Sequence, residues 1–303
     1  MNARISGQQH ALGIALVVGS CLSLPFGAAV AAQLFPALGS WGVTSLRVSI
    51  AALVVLVAVR PKLGRWTRRQ WIVSALFGLS LAGMNGFFYA AVALIPLGPA
   101  VAIEFLGPLV LAAVLTRRMA DGAWVGVAVL GIALLGVDGM VGAEPLDPLG
   151  VVFVLVAAAF WALYIRLSAK VGEVTPGHEG LSVALVIGAI ALLPVGVPAV
   201  GTVTREPQLI VPAVVTAILS SAIPYTFELA ALRRIPQRVF GVLLALEPAF
   251  ATLAGLLLLG QQVTVLRLAA ILLVIAASVG AALGARRSDP PPTTTGTFPA
   301  IPD

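Results

Sequence analysis

Four ionisable side chains interrupt long apolar stretches of this sequence: Arg47, Glu104, Glu228 and Glu247. A charge at the centre of a membrane span costs about 2.5–3.5 kcal/mol on insertion scales, so such residues usually have a function. A carboxylate in a water-filled cavity can bind a proton, because burial disfavours its charged form. It can also hold the ammonium group of a zwitterion while an arginine holds the carboxylate. One glutamate could do both in turn and so couple proton entry to substrate exit.

The same four residues also have a structural interpretation. Glu104 and Glu247 could form hydrogen bonds between helices, and Arg47 and Glu228 could extend toward the membrane surface. Arg47 and Glu104 both lie about seven residues into their apolar runs, roughly 10 Å from the same boundary, which favours a shared site. Glu247 is nearer the middle of its run, and Glu228 lies close to Arg233 at the opposite boundary. We predict a substrate and proton site built around these four side chains.

Polar and aromatic residues on neighbouring apolar runs could complete this cavity. The candidates are Asn85, Tyr89, Ser220, Ser221 and Tyr225. Trp161 and Tyr164 are ambiguous, because aromatic residues near span ends are more often interfacial anchors than ligand contacts.

The sequence offers little for metal or covalent chemistry. Cys21 is the single cysteine and lies inside the first apolar run, and both histidines, His10 and His178, fall outside the predicted spans. A membrane-embedded enzyme would need a catalytic constellation such as an HExxH motif, and none is present. We therefore expect no metal, no cofactor and no enzymatic activity.

An internal repeat relates the two halves of the chain. IPLGPAVAIEFLGP begins at Ile95 and IPQRVFGVLLALEP begins at Ile235, so that Pro108 and Pro248 stand 140 residues apart in matching contexts. Proline lacks a backbone N–H and clashes with the preceding turn, so we expect helix breaks at Pro108 and Pro248 and a third at Pro224. In secondary transporters, interrupted helices at a repeat interface commonly form the substrate site. The alternative is that these prolines are merely tolerated, as they often are in membrane helices.

The composition requires a lipid environment. The 303 residues are 60% hydrophobic and only 10% charged, against about 45–50% and 25% in soluble domains. A span needs about 20 mostly apolar residues, which predicts an all-α integral membrane protein of ten transmembrane helices. The predicted spans are 11–33, 40–59, 71–94, 97–116, 122–138, 149–168, 180–199, 211–232, 237–259 and 265–285. With five helices in each half, the repeats 1–140 and 141–287 should be inserted with opposite orientation.

The positive charges predict the orientation of the chain. Of the 18 Lys and Arg residues, all but Arg47, Arg205 and Arg267 fall in segments on the side of the N-terminus. The positive-inside rule therefore places both termini in the cytoplasm, with Asp138, Glu144 and Asp147 in an external loop. The net charge of +6 is then a signal of topology rather than of nucleic-acid binding. We expect the Pro- and Thr-rich residues 288–303 to form a disordered cytoplasmic tail.

Three long motifs resemble a known family. They are LFPALGSWGVTSLRVSIAALVVL from Leu34, GMNGFFYAAVALIPLGPAVAIEFLGPL from Gly83, and SSAIPYTFELAALRRIPQRVFGVLLALEPAFATLAGLLLLGQ from Ser220. The chain is similar to the EamA-type branch of the drug/metabolite transporter superfamily and, within it, to bacterial threonine/homoserine exporters. The resemblance implies a ten-helix inverted-repeat fold and proton-driven export of small hydrophilic metabolites across the inner membrane. It also implies functional roles for Arg47, Asn85, Tyr89, Glu104, Tyr225, Glu228 and Glu247.

Other cargo stays open at this point: a cationic drug, a sugar or a nucleotide-sugar. A pump for lipophilic cations would favour aromatic rings around a carboxylate. The aromatic fraction is 7%, and Phe105 is the one clear aromatic neighbour of Glu104 in sequence, so we expect polar cargo. The expected partners are the small-molecule substrate, protons and lipids, with the protein acting as a monomer or homodimer.

Overall fold

The apolar runs form helices whose ends lie close to the predicted ones. The computed structural model describes residues 2–116, 119–141, 146–175, 179–232 and 234–284. Its α-helices are α1 Asn2–Gln33, α2 Phe35–Leu38, α3 Ser40–Val59, α4 Arg68–Val92, α5 Leu97–Glu104, α6 Leu106–Thr116, α7 Met119–Val141, α8 Pro148–Val174, α9 Glu179–Arg205, α10 Ile210–Ala217, α11 Ile223–Leu232, α12 Gln237–Leu244, α13 Glu247–Leu259 and α14 Val265–Gly284. A π-helical turn, Ile218–Ala222, joins α10 to α11.

Over the described ranges, nine helical segments are long and apolar enough to cross a bilayer, and Gly122–Asp138 within α7 is apolar but shorter. Large apolar side chains face outward along these helices. Leu53, Val57, Leu130, Val197 and Leu257 are all more than half exposed. Lipid accommodates such a surface, and each helix satisfies its own backbone hydrogen bonds.

The most extensive helix contacts join the first part of the chain to the second. Helix α4 packs on α8 and α9, α3 on α9, and α7 on α14, while α1 packs on α11 and α13 and α5 packs on α13. Small residues allow this close packing. At Gly107 in α6, an added Cβ would meet the backbone carbonyl of Ala158 in α8, so the two helices approach at a position that only glycine fits.

Three of the predicted spans are interrupted, and each interruption precedes one of the singled-out prolines. Span 97–116 breaks at Phe105 between α5 and α6, and span 237–259 breaks at residues 245–246 between α12 and α13. The π-helical turn interrupts the span 211–232 just before Pro224. Helices α5 and α12 are both eight residues long and follow Pro96 and Pro236, whose backbone angles agree closely (φ −59°, ψ 147° and φ −58°, ψ 142°).

Some sequence-based placements need correction. Asp138 lies inside α7 and is buried, rather than in an external loop, because it pairs with the buried Arg267 of α14 at 2.9 Å. His10 lies within α1 and within the apolar segment that begins at Gln9. Helices α8 and α9 extend about two turns beyond their predicted ends. The predicted tail 288–303, His178 and Glu144 lie outside the described residues.

Candidate substrate and proton site

The interrupted helices surround an internal cavity of about 830 Å³. Its size lies within the range of small-molecule sites, about 300–1,000 Å³. Most of the predicted site residues face it: Arg47, Asn85, Tyr89, Glu104, Pro108, Pro224, Glu228 and Glu247, together with Ser220. Pro248 is buried in the first turn of α13 and does not line the cavity. The side chain of Tyr225 is outside the part of the chain that the structure describes. The structure therefore brings together residues that are up to 200 positions apart in sequence.

Arg47 is fixed by groups from two other helices. Its guanidinium donates to the Asn85 Oδ1 of α4 and to the Ser220 carbonyl at 3.2 Å, and it lies 4.7 Å from the centre of the Tyr89 ring. Asn85 is itself oriented, because its amide donates to the Leu81 carbonyl at 2.8 Å. Two hydrogen bonds and a cation–π contact thus hold one cation at the wall of the cavity.

The break before Pro224 supplies the backbone acceptors for this arrangement. In the π-helical turn the Ile223 N–H reaches the Ile218 carbonyl, and Pro224 has no N–H with which to continue the pattern. The carbonyls of the next two residues find partners in other helices. Leu219 accepts from Ser23 Oγ at 2.7 Å, and Ser220 accepts from Arg47. The missing N–H of Pro224 leaves one carbonyl of this turn without its helical partner, and the Leu219 and Ser220 carbonyls both accept from side chains of other helices.

Three carboxylates share the cavity with this one arginine. Glu104 is the last residue of α5 and lies within electrostatic range of Arg47. Glu247 is the first residue of α13, where the helix dipole favours negative charge, and it lies within electrostatic range of Glu104 and Glu228. Glu228 accepts a hydrogen bond from the buried Ser20 Oγ at 2.7 Å. A basic group and three carboxyl groups therefore face a common space, which is the arrangement that recognition of a zwitterion requires.

Aromatic residues contribute more to the cavity than the sequence indicated. The lining includes six rings, those of Phe88, Tyr89, Phe105, Trp161, Tyr164 and Phe240. This corrects the expectation of few aromatic residues around Glu104. The ring of Trp161 contacts Phe105 edge-on at 5.0 Å between centroids, so Trp161 faces inward rather than serving as an interfacial anchor. The spacing of Trp161, Tyr164 and Ser168 along one helix face was a usable signal for this.

The cavity extends toward one end of the bundle. Its lining reaches Ala112 near the end of α6, Ser168 and Ala169 in the second half of α8, and Ala281 and Ala282 near the end of α14. At the opposite end, where α5 begins, Leu97 and Ala100 are fully buried. Within the described part of the chain, no group of three or more His, Cys, Asp or Glu side chains could hold a metal ion.

Several known proteins are similar to this chain in sequence or in fold. The sequence profile of the EamA-like transporter family matches residues 148–283. The threonine/homoserine exporter RhtA of Escherichia coli (strain K12) is 37% identical over 263 residues, which cover 86% of this chain and 88% of the exporter. RhtA of Salmonella typhimurium (strain LT2) gives the same identity and coverage. An uncharacterized transporter of Clostridium kluyveri is 29% identical over 123 residues, 39% of each chain.

A crystal structure covers 92% of this chain and 99% of its own, with a TM-score of 0.53 and 19% identity. That likeness concerns the fold alone. The identity to RhtA extends over most of both chains. The chain therefore belongs to the EamA-like transporter family of the drug/metabolite transporter superfamily, and it is a multi-pass membrane protein.

Proposed function

We propose that the protein exports small amino-acid-like metabolites, of the threonine/homoserine type, across the cytoplasmic membrane in exchange for protons. The observation that carries the proposal is the juxtaposition of Arg47 with Glu104, Glu228 and Glu247 around one cavity. The E. coli and Salmonella relatives are threonine/homoserine exporters, which supports the cargo class and the direction of transport.

In this mechanism Arg47 binds the carboxylate of the cargo and a glutamate binds its ammonium group. Glu104 is the first choice for the glutamate, since it lies in electrostatic range of Arg47. A proton entering from outside neutralises the carboxylate and weakens its hold on the ammonium group, so proton entry and cargo release exclude each other at one site. Glu247, within electrostatic range of Glu104, is the second candidate for this exchange.

Alternating access follows from two inverted five-helix repeats, residues 1–140 and 141–287, with both termini in the cytoplasm. The matched helices α5 and α12 support the repeat, since each has eight residues, follows a proline and ends at a break. Two similar halves of opposite orientation can exchange conformations and open a central site to each side in turn. In the proposed orientation the cavity extends toward the cytoplasm.

The test is growth of a sensitive host on inhibitory amounts of single amino acids, with and without the protein. We expect resistance to threonine or homoserine and a fall in their intracellular pools. Glu104→Gln should abolish the resistance at unchanged protein levels, because a glutamine cannot exchange a proton. Glu173→Gln is the matched control, since that glutamate is exposed and pairs with Lys170 at 2.6 Å. Full resistance with Glu104→Gln would exclude this residue from the exchange.

A second cargo class is favoured by one observation, the aromatic lining of the cavity. Six aromatic rings in a cavity with three carboxylates form a surface that also suits an organic cation with apolar groups. The same host challenged with tetraphenylphosphonium separates the two candidates. Protection against the cation and none against any amino acid would replace the exporter proposal with cation efflux.

A further inference from the structure

At the end where α5 begins, Leu97 and Ala100 are fully buried and do not line the cavity, and the loop between α13 and α14 contacts this end through Leu97. Helix α13 ends at Leu259 and is capped by Gly260, which has a left-handed backbone (φ 66°). The next residue, Gln261, donates its N–H to the Gly255 carbonyl at 3.1 Å. The N–H groups of Gly260 and Gln261 thus both reach the Gly255 carbonyl near the end of the helix. This closure fixes the direction in which the Gln261 side chain leaves the backbone.

The Gln261 side chain reaches across to the first half of the chain. Its Oε1 accepts the backbone N–H of Leu97 at 3.0 Å. Leu97 is the first residue of α5, where a backbone N–H has no partner within its own helix. Leu97 is also fully buried, so loss of this acceptor would leave a buried donor unpaired. We call the Gln261–Leu97 hydrogen bond the gate contact.

A glycine makes the gate contact possible. A Cβ added at Gly255 would meet Oε1 and Cδ of Gln261. The side chain thus occupies the space that any larger residue at position 255 would fill. Further along the same interface an added Cβ at Gly98 would meet Thr252, so α5 and α13 approach closely on the cavity side of the gate contact as well.

Other residues of the loop contact α14 and α7. Arg267 donates to the Gln262 carbonyl at 2.7 Å and to Asp138 Oδ2 at 2.9 Å. Thr264 also donates to Asp138. The gate contact joins this loop to α5, the helix that ends at Glu104.

We propose that Gln261 is a gating residue, whose hydrogen bond to Leu97 holds the cavity closed at the α5 end and breaks when that end opens. The proposal rests on the alternating access of the proposed function, but not on the identity of the cargo. Loss of one such hydrogen bond should shift the equilibrium toward the open state about two- to tenfold.

The test measures access to the α5–α13 interface with a single cysteine. Cys21, the only cysteine in the sequence, is replaced by serine, and Thr252→Cys is introduced as the reporter beside Gly98. Right-side-out vesicles are treated with a membrane-impermeant maleimide. Gln261→Leu and Gly255→Ala should each raise the labelling rate about two- to tenfold, the first by removing the acceptor and the second by displacing it.

Two controls separate gating from general loosening. Gln261→Glu keeps an acceptor at a helix N-terminus and should label at the parental rate or more slowly. Gln208→Leu removes an exposed glutamine whose hydrogen bond, to Glu206 at 3.4 Å, is local, and it should match the parent. Melting temperatures check that each variant is folded.

The outcomes of this test are distinct from those of the growth test. Parental labelling rates in both folded variants, Gln261→Leu and Gly255→Ala, would overturn the gating proposal. A rise seen only in inside-out vesicles would support the gate and overturn the proposed orientation. A rise in right-side-out vesicles, in a protein that protects against no amino acid, would support the gate while the cargo proposal fails.

Discussion

Replacing Arg47 with lysine tests how the site holds a carboxylate while preserving the charge. Arg47 meets Asn85, the Ser220 carbonyl and the Tyr89 ring at the same time. An ammonium group is a single point of charge and does not reproduce this planar set of contacts. The variant should lose at least one charge-assisted hydrogen bond, about 1.5–3 kcal/mol. If this loss appears in cargo binding, the apparent affinity should fall about 10- to 150-fold.

The assay is threonine counterflow in proteoliposomes, measured over a range of threonine concentrations. Arg47→Lys should raise KM at least about tenfold. Arg205→Lys, at the exposed end of α9, is the matched control and should leave KM unchanged. A melting temperature near that of the parent shows that the bundle is intact. A folded Arg47→Lys protein with KM within twofold of the parent would refute the role given to this guanidinium.

Two further predictions concern stability. Arg267→Ala leaves Asp138 charged and buried without its partner, at a cost of about 3–5 kcal/mol, so the melting temperature and the yield should fall. The double variant Arg267→Met, Asp138→Leu should recover most of this loss. No recovery would contradict this account of the ion pair. Gly107→Ala forces α6 away from the Ala158 carbonyl and should lower the free energy of unfolding by about 1–3 kcal/mol, measured by thermal unfolding in detergent. Gly126→Ala should leave stability unchanged, because nothing lies within 4 Å of its added Cβ. Equal effects of the two variants would contradict the close packing of α6 on α8.

The helices could be predicted because a bilayer imposes a simple rule on the sequence. Long apolar runs must become helices, so the ends of α3 and α7 were within reach of a hydropathy reading. The interruptions were only half predictable. Pro224 shows that a backbone N–H is missing. Nothing local shows that Arg47 and Ser23 donate to carbonyls of this turn, because those residues lie 173 and 196 positions away from their acceptors.

The candidate site could be predicted as a set of residue types but not as a surface. Ionisable residues in apolar runs pointed to Arg47 and Glu104, which do line one cavity. The inward direction of Trp161 depends on the rotation of α8 within the bundle, which packing decides. The same reason explains the error at Asp138. A charged residue near the end of an apolar run suggests a loop. It can be buried instead when a partner such as Arg267 forms an ion pair with it.

The most direct test of the central claim measures protons and cargo at the same site. Purified protein in weakly buffered detergent solution, with a pH indicator, is mixed with threonine. We expect threonine binding to release protons from the wild-type protein, because the ammonium group replaces a proton on a cavity carboxylate, and we expect that release to be lost in Glu104→Gln. Binding without proton release, or release that is unchanged in Glu104→Gln, would contradict exchange of proton and cargo at this glutamate.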